Sequence, residues 1–246
     1  LNDTTVDTDE LAKFEAMAEE WWDPSGKFRP LHKFNPVRLS FIREKACKHF
    51  DLDDKSYTPL EGLKILDVGC GGGLLSEPLA QMGARVTGLD MLERNIKTAR
   101  AHARIQGLEI DYRHGSVSEM AQAGAQYDIV LNMEVVEHVA DVGDFLRQSS
   151  QTVAPGGLMF IATINRTLKA FGLAIVGAEY VLGWLPRGTH DFEKLVKPQE
   201  IKSALRHQTM HLEGPVGVTY NPLADRWSLS RDPSVNYMMI ARKPKD

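Results

Sequence analysis

The chain is 246 residues long with 43% hydrophobic residues, enough for one large α/β core and better suited to a single domain than to two small ones. A net charge of -4 with a pI near 6.1 gives no general attraction to polyphosphate, so nucleic acid is not expected as substrate or partner. Cys47 and Cys70 have neither metal-finger nor disulfide-framework spacing, and a reducing cytoplasm is the compartment they fit.

The N-terminus is polar and acidic through Glu10, without the basic start or apolar stretch of a signal peptide, so any presequence is expected to have been removed. Leu11, Phe14, Ala18, Trp21 and Trp22 follow helical spacing after a Thr8/Asp9 cap signal, and Pro24-Ser25-Gly26 should end that helix. An aromatic and basic loop from Phe28 to Leu39 then opens a second helix to about Phe50, making residues 1–50 a helical cap on a single domain spanning 1–246. After a polar connector, strands are expected near 64–68, 85–89, 109–113, 127–131 and 157–163, and helices near 73–82, 92–106, 117–122 and 141–153. Such alternation implies a mostly parallel sheet covered on both faces. Pro155-Gly156-Gly157 reads as the turn feeding the fifth strand. A helix from Lys197-Pro198 to about Arg206 and extended pieces near 208–213 and 236–242 would complete seven strands.

The most informative run is Lys64-Ile65-Leu66-Asp67-Val68-Gly69-Cys70-Gly71-Gly72-Gly73 with Asp90 after it: a buried strand, a glycine turn into a helix, and a second strand ending in a carboxylate. Glycines permit close backbone approach, the helix start offers N–H groups, and an acid about 20 residues on can accept from ribose hydroxyls. The third glycine of a dinucleotide fingerprint is replaced by Leu74, and there is no triphosphate-binding Gly-x-x-x-x-Gly-Lys-Ser/Thr. The pattern resembles motif I of the class I S-adenosylmethionine (SAM) methyltransferases. For Gly72 and Gly73 alone, a plain tight turn explains as much as ligand contact.

Beyond the fourth strand, Asn132-Met133-Glu134-Val135-Val136-Glu137-His138-Val139 opens beside that pocket. If Glu134 begins a helical turn, Glu137 and His138 share its face. Two carboxylates and an imidazole in one volume can hold a hard divalent cation or remove a proton. The plainer alternative is a solvated helix start with acids at its positive end.

Residues 170–185 carry a single charge, Glu179, between Lys169 and Arg187, too short for the roughly 20 apolar residues of a membrane span. A core helix is one reading; an apolar lid or interfacial membrane contact within an insertion over 168–190 is the sharper one. His190 offers a further base, though Thr189-His190-Asp191 equally fits a helix cap. Trp21-Trp22 either covers a substrate or anchors the N-terminal helix. Arg38 either pairs with the SAM carboxylate or is a surface arginine.

Several runs together resemble the ubiquinone-biosynthesis O-methyltransferase family: Trp21-Trp22-Asp23, Asn35-Pro36-x-Arg38-Leu39, Asp67-Val68-Gly69-Cys70-Gly71-Gly72-Gly73, Gly88-Leu89-Asp90-Met91, Met133-Glu134-x-x-Glu137-His138-Val139, Gly177-Ala178-Glu179-Tyr180 and Val235-Asn236-Tyr237-Met238. The resemblance runs over nearly the whole chain. It implies a Rossmann-like, seven-stranded class I SAM methyltransferase fold and O-methylation of a polyprenyl catechol-type phenol and of demethylubiquinol. By similarity, Arg38, Gly69, Asp90 and Met133 would contact SAM, and Asp67, Gly71 and Met91 beside them are further candidates for the cofactor site. Glu134, Glu137 and His138 would hold Mg²⁺, with Glu134, His138 and His190 nearest the chemistry. The implied setting is cytoplasmic, peripheral to the inner membrane or on the mitochondrial matrix face, with membrane contact through 170–185 and a ubiquinone-biosynthesis complex as partner. The rivals are a silent SAM-binding scaffold subunit of such a complex and a methyltransferase of the same fold acting on another small molecule or RNA.

Overall fold

The computed structural model describes residues 5, 7, 20–172 and 191–245. Among these, eight strands form one sheet: β1 (Lys64–Val68), β2 (Arg85–Asp90), β3 (Asp111–His114), β4 (Tyr127–Met133), β5 (Val153–Ile164), β6 (His211–Asn221), β7 (Arg226–Ser230) and β8 (Asn236–Arg242). Their order is β3-β2-β1-β4-β5-β8-β6-β7. The first five run parallel, and β8, β6 and β7 add on antiparallel. The main helices are α1 (Arg29–Phe50), α2 (Ser76–Gln81), α3 (Glu93–Ile105), α4 (Val117–Gln122), α5 (Val142–Gln151) and α6 (Pro198–Ala204).

The central strands are apolar on both faces because both are covered. Ile65, Ile129, Leu131 and Phe160 share a core with Phe41 and Ile42 of α1 and Leu79 of α2. Their alternate neighbours Leu66, Val130, Met159 and Ile161 share the other core with Phe145 and Leu146 of α5 and Ile201 of α6. The two-residue period of a strand thus sorts one sequence into two cores. Local chemistry fixes the helix starts. Ser116 and Glu119 form a reciprocal capping box at α4, and Asp141 accepts from the Asp144 N–H (2.9 Å) at α5.

Three expectations change. The segment from Phe28 to Leu39 is helix rather than loop, since α1 begins at Arg29. Pro30 lies in the first turn, where a missing N–H costs nothing, and Pro36 is carried inside a 22-residue helix seated on the core. Pro155-Gly156-Gly157 lies within β5, where the pairing with β4 steps from Tyr127↔Val153 to Ile129↔Leu158 and these residues loop out of register. Among the described residues the sheet has eight strands, one more than the seven expected. β7 lies at the edge and, among the described residues, pairs with β6 across a turn in which Asn221 accepts from the N–H groups of Leu223 and Ala224 (2.9 and 3.1 Å). The expected helix over 11–22 lies mostly outside the described residues, as does most of the apolar run after Gly172.

Candidate functional site

The strand order reverses between β1 and β4, and the expected site residues gather at the carboxyl ends of these strands, where open α/β sheets bind ligands. After Val68 the chain turns through Gly69 and Gly71 at φ +72° and +54°, a conformation that favours glycine. The N–H groups of Gly69 and Cys70 both donate to the Leu89 carbonyl (2.8 and 3.0 Å), which ties the turn to the end of β2.

Asp90 completes the clasp. Its Oδ2 accepts from the Gly71 N–H (2.9 Å), and its Oδ1 accepts from the Leu92 N–H (2.8 Å) and from Asn95 Nδ2 (3.1 Å). Burial raises the pKa of this carboxyl, and the bonds from Leu92, Gly71 and Asn95 pull it back. A carboxylate offers about four acceptor positions. With three filled from its own chain, Asp90 has room for about one ribose hydroxyl rather than two. Met91 follows, half-buried, with its carbonyl 3.0 Å from His114 Nε2.

A second group of charges meets behind the turn. Asp67 on β1 is buried and accepts from Ser76 Oγ (2.6 Å); burial lifts its pKa to about 6 against the Ser76 bond and the Arg38 charge. Arg38 on α1 is 4% exposed, so the surface-arginine reading falls. Its Nη2 donates to Asn35 Oδ1 (2.7 Å), its Nε makes no hydrogen bond, and Glu134 and Asp67 face it while burial lowers its pKa. α1, β1 and β4 thus bring together three side chains that are far apart in sequence.

At the end of β4, Met133 is buried and the Glu134 N–H continues the ladder to the Ala162 carbonyl (2.9 Å). Glu134 does not begin a helical turn. It stands at φ +58°, and the 3-10 turn that follows covers only Val136–His138. Glu137 is buried and its Oε2 accepts from Thr163 Oγ1 on β5 (2.8 Å), while Glu134 and His138 are half-buried. Among the described residues no three His, Cys, Asp or Glu side chains come together as a metal-holding group. As placed, Glu134, Glu137 and His138 therefore do not fit the Mg²⁺ chelate expected of them; the left-handed backbone at Glu134 breaks the helical face on which that expectation rested. His190 lies outside the described residues. Asp191 beside it accepts from the Glu193 N–H (3.0 Å) and caps a short turn at Phe192–Lys194.

Trp21 and Trp22 are both seated on the glycine turn. The Trp22 indole N–H donates to the Gly72 carbonyl (2.9 Å), and the Trp21 ring lies against Gly71 and Gly72, where a Cβ on either glycine would collide with it. Leu74, which replaces the third glycine of the dinucleotide pattern, packs into the same cluster with Trp21 and Phe28. Sequence reading missed Ser76 and Asn95. Asn95 had a signal: an amide in the first turn of a helix, past the cap, where asparagine is a weak helix former.

A methyltransferase domain family matches residues 66–161, the stretch holding the glycine turn, Asp90 and the end of β4. The ubiquinone biosynthesis O-methyltransferase of Maricaulis maris is 60% identical over 245 residues, covering 99% of this chain and 96% of that protein. The protein of that name from Brucella anthropi is 58% identical, covering 98% and 97%. This chain belongs to the ubiquinone biosynthesis O-methyltransferase family. It is accordingly a SAM-dependent methyltransferase, and solved structures agree on the fold. Magnesium protoporphyrin IX methyltransferase from Synechocystis, with bound SAH, superposes with TM-score 0.62 at 20% identity over 95% of each chain. A SAM-dependent methyltransferase from Clostridium acetobutylicum gives 0.60 at 13% identity, covering 95% of this chain and 99% of that one. The extra strand β7 is an addition to the seven expected, not a departure from the class.

Proposed function

We propose that this chain transfers the SAM methyl group to a phenolic hydroxyl of a polyprenylated dihydroxybenzene on the route to ubiquinone, including a catechol-type precursor and demethylubiquinol. The observation that carries the reading is the 58–60% identity, over nearly the whole chain, with relatives named for that O-methylation. The geometry supports it. Asp90 and the glycine turn suit a ribose, and the buried Arg38 guanidinium, with an N–H left over, suits the carboxylate of the cofactor's amino-acid end.

A phenol has a pKa of about 10, so its neutral oxygen is a weak nucleophile near pH 7. The phenolic proton passes to Glu134 or His138, both half-buried at the end of β4. The oxygen attacks the sulfonium methyl in line; the O–CH₃ bond forms as the S–CH₃ bond breaks, leaving the neutral thioether of SAH. Alignment of the two reactants supplies much of the acceleration, with no covalent enzyme intermediate. Mg²⁺ enters through the resemblance and the donor types of Glu134, Glu137 and His138 alone, and the steps above use side chains only.

The proposal extends to location: a substrate with a lipid tail is collected at a membrane surface, on the cytoplasmic side of an inner membrane or at an equivalent face, where a biosynthetic complex would also assemble. Leu168 and Phe171, which lead into the apolar run, are exposed, and no described helix is long and apolar enough to cross a membrane. Incubation with labelled SAM and a short-chain prenyl catechol tests the reaction. Methylated product is expected, and tight SAM binding without turnover on any catechol would favour the scaffold alternative. Loss of turnover in excess EDTA, with SAM affinity intact and activity restored by Mg²⁺, would support the ion; full turnover in EDTA removes it. Flotation with liposomes tests the membrane contact.

A further inference from the structure

We propose that Trp21 and Asn95 are cofactor-positioning residues: Trp21, acting through Asn95, fixes the Asp90 carboxylate in the orientation a ribose hydroxyl meets. The SAM site is then complete only when the segment around the two tryptophans is seated on the glycine turn. This rests on the reading of that turn as the SAM site.

The argument is one of directional hydrogen bonds. The Trp21 indole Nε1–H donates to Asn95 Oδ1 (2.9 Å), and Asn95 Nδ2 donates to Asp90 Oδ1 (3.1 Å). An indole can only donate, so it holds the amide oxygen of Asn95 toward itself and thereby turns the amide NH₂ toward the carboxylate. Without that donor only the Asp90 carboxylate orients the amide, and the Asn95–Asp90 pair loses its fixed anchor and can shift together. Asn95 is 2% exposed and Trp21 7%, so water is poorly placed to substitute in this chain of bonds.

The donor is itself held firmly. The Trp21 ring stacks on Phe28 with centroids 3.7 Å apart and planes 9° from parallel, and lies on Gly71 and Gly72. Trp22 makes a second attachment, donating to the Gly72 carbonyl while its ring stacks on His102 at 3.5 Å; Glu77 holds the His102 Nδ1 at 2.8 Å. The segment therefore grips the turn and, through Asn95, the carboxylate that the turn closes on.

The test is SAH affinity by calorimetry with the KM for SAM, using a short-chain prenyl catechol as methyl acceptor. Trp21→Phe keeps a ring for the Phe28 stack and removes the N–H. SAH affinity should fall and the KM for SAM rise about fivefold, the worth of one buried neutral hydrogen bond. Asn95→Ala should cost about tenfold or more, since it removes the bond to Asp90 as well. The double variant should be no worse than Asn95→Ala alone, because Trp21 acts through that residue. In each, the KM for the catechol should stay put and kcat fall less than the KM for SAM rises. A merely structural role would instead lower the active fraction, and so kcat, at unchanged KM. Wild-type SAH affinity in Trp21→Phe, or penalties that multiply in the double variant, would overturn the proposal. Asp90→Ala in the same assay separates the two levels. If it too binds SAH normally, the SAM reading of the turn is wrong; if it alone loses SAH, only the role of Trp21 falls.

Discussion

The strand ends on either side of the reversal in the sheet are built in opposite ways. At the β1–β2 end, a carboxylate is closed on by backbone N–H groups from Gly71 and Leu92, and the turn is stitched to Leu89. At the β4 end, the backbone itself is forced, with Glu134 in the left-handed region and Glu137 held across to β5 by a hydroxyl. The difference matches the roles proposed for the two ends. A cofactor that is the same in every turnover suits a site fixed by main-chain donors, whereas side chains that move a proton need freedom that backbone bonds would remove. Glu134 holds a conformation that costs stability where chemistry is expected, a pairing common at functional sites.

Four substitutions would break or sharpen that contrast, the largest effect first. Asp90→Ala leaves the donors of Gly71, Leu92 and Asn95 unmet, so SAH affinity should drop at least tenfold and stability by about 3 to 5 kcal/mol. Calorimetry and urea unfolding read both, and a loss of affinity without any loss of stability would show that Asp90 serves the ligand alone.

Asp67 gives a pH signature. Its pKa is raised by burial to about 6, above its unfolded value, so the folded state binds the extra proton more tightly. The stability this contributes is fully present below the unfolded pKa and is lost as pH rises through about 6, a change of about 3 kcal/mol. In ligand-free protein, the stability of wild type relative to Asp67→Asn should therefore fall between pH 4 and pH 7. A difference independent of pH would contradict the raised pKa.

Thr163→Val removes the donor to the buried Glu137 Oε2 and should cost roughly 1 to 3 kcal/mol in thermal or urea unfolding, with SAH affinity nearly unchanged. A fall in SAH affinity as large as that of Asp90→Ala would mean that the two strand ends are not separate. The last substitution, Glu134→Gly, relieves the left-handed backbone by about 1 kcal/mol but also removes a carboxylate that faces the buried Arg38, so the two effects oppose each other in stability while kcat should fall. Full turnover in this variant would remove Glu134 from the proton transfer.

Legibility in the sequence followed the range of the forces. Strands β1 to β4 and helices α3 to α5 fall within a few residues of expectation, because apolar periodicity and caps such as Ser116 and Asp141 act over one or two turns. β7 was missed because a short, half-exposed edge strand lacks a buried run, and the start of α1 because its two prolines argue locally against a helix that packing sustains. At the site, the glycine turn and Asp90 were readable as a spacing. The Glu134 to His138 segment was misread because a helical face was assumed where the chain leaves β4 with positive φ.

What the sequence determined by itself is the kind of protein: an α/β methyltransferase, from the alternation of elements, the glycine turn with its distant acid, and runs such as Trp21-Trp22-Asp23 that resemble the ubiquinone-biosynthesis O-methyltransferase family. Tertiary structure decided the partnerships. Arg38 reads as a SAM-carboxylate partner or a surface residue until α1 buries it against Asp67 and Glu134, and Trp21 reads as a substrate cover or a helix anchor until Asn95 links it to Asp90. The reason is physical. Periodicity, caps and turns are set by neighbours along the chain, whereas burial, pKa and the direction of a side-chain hydrogen bond are set by residues that only the folded sheet brings into contact.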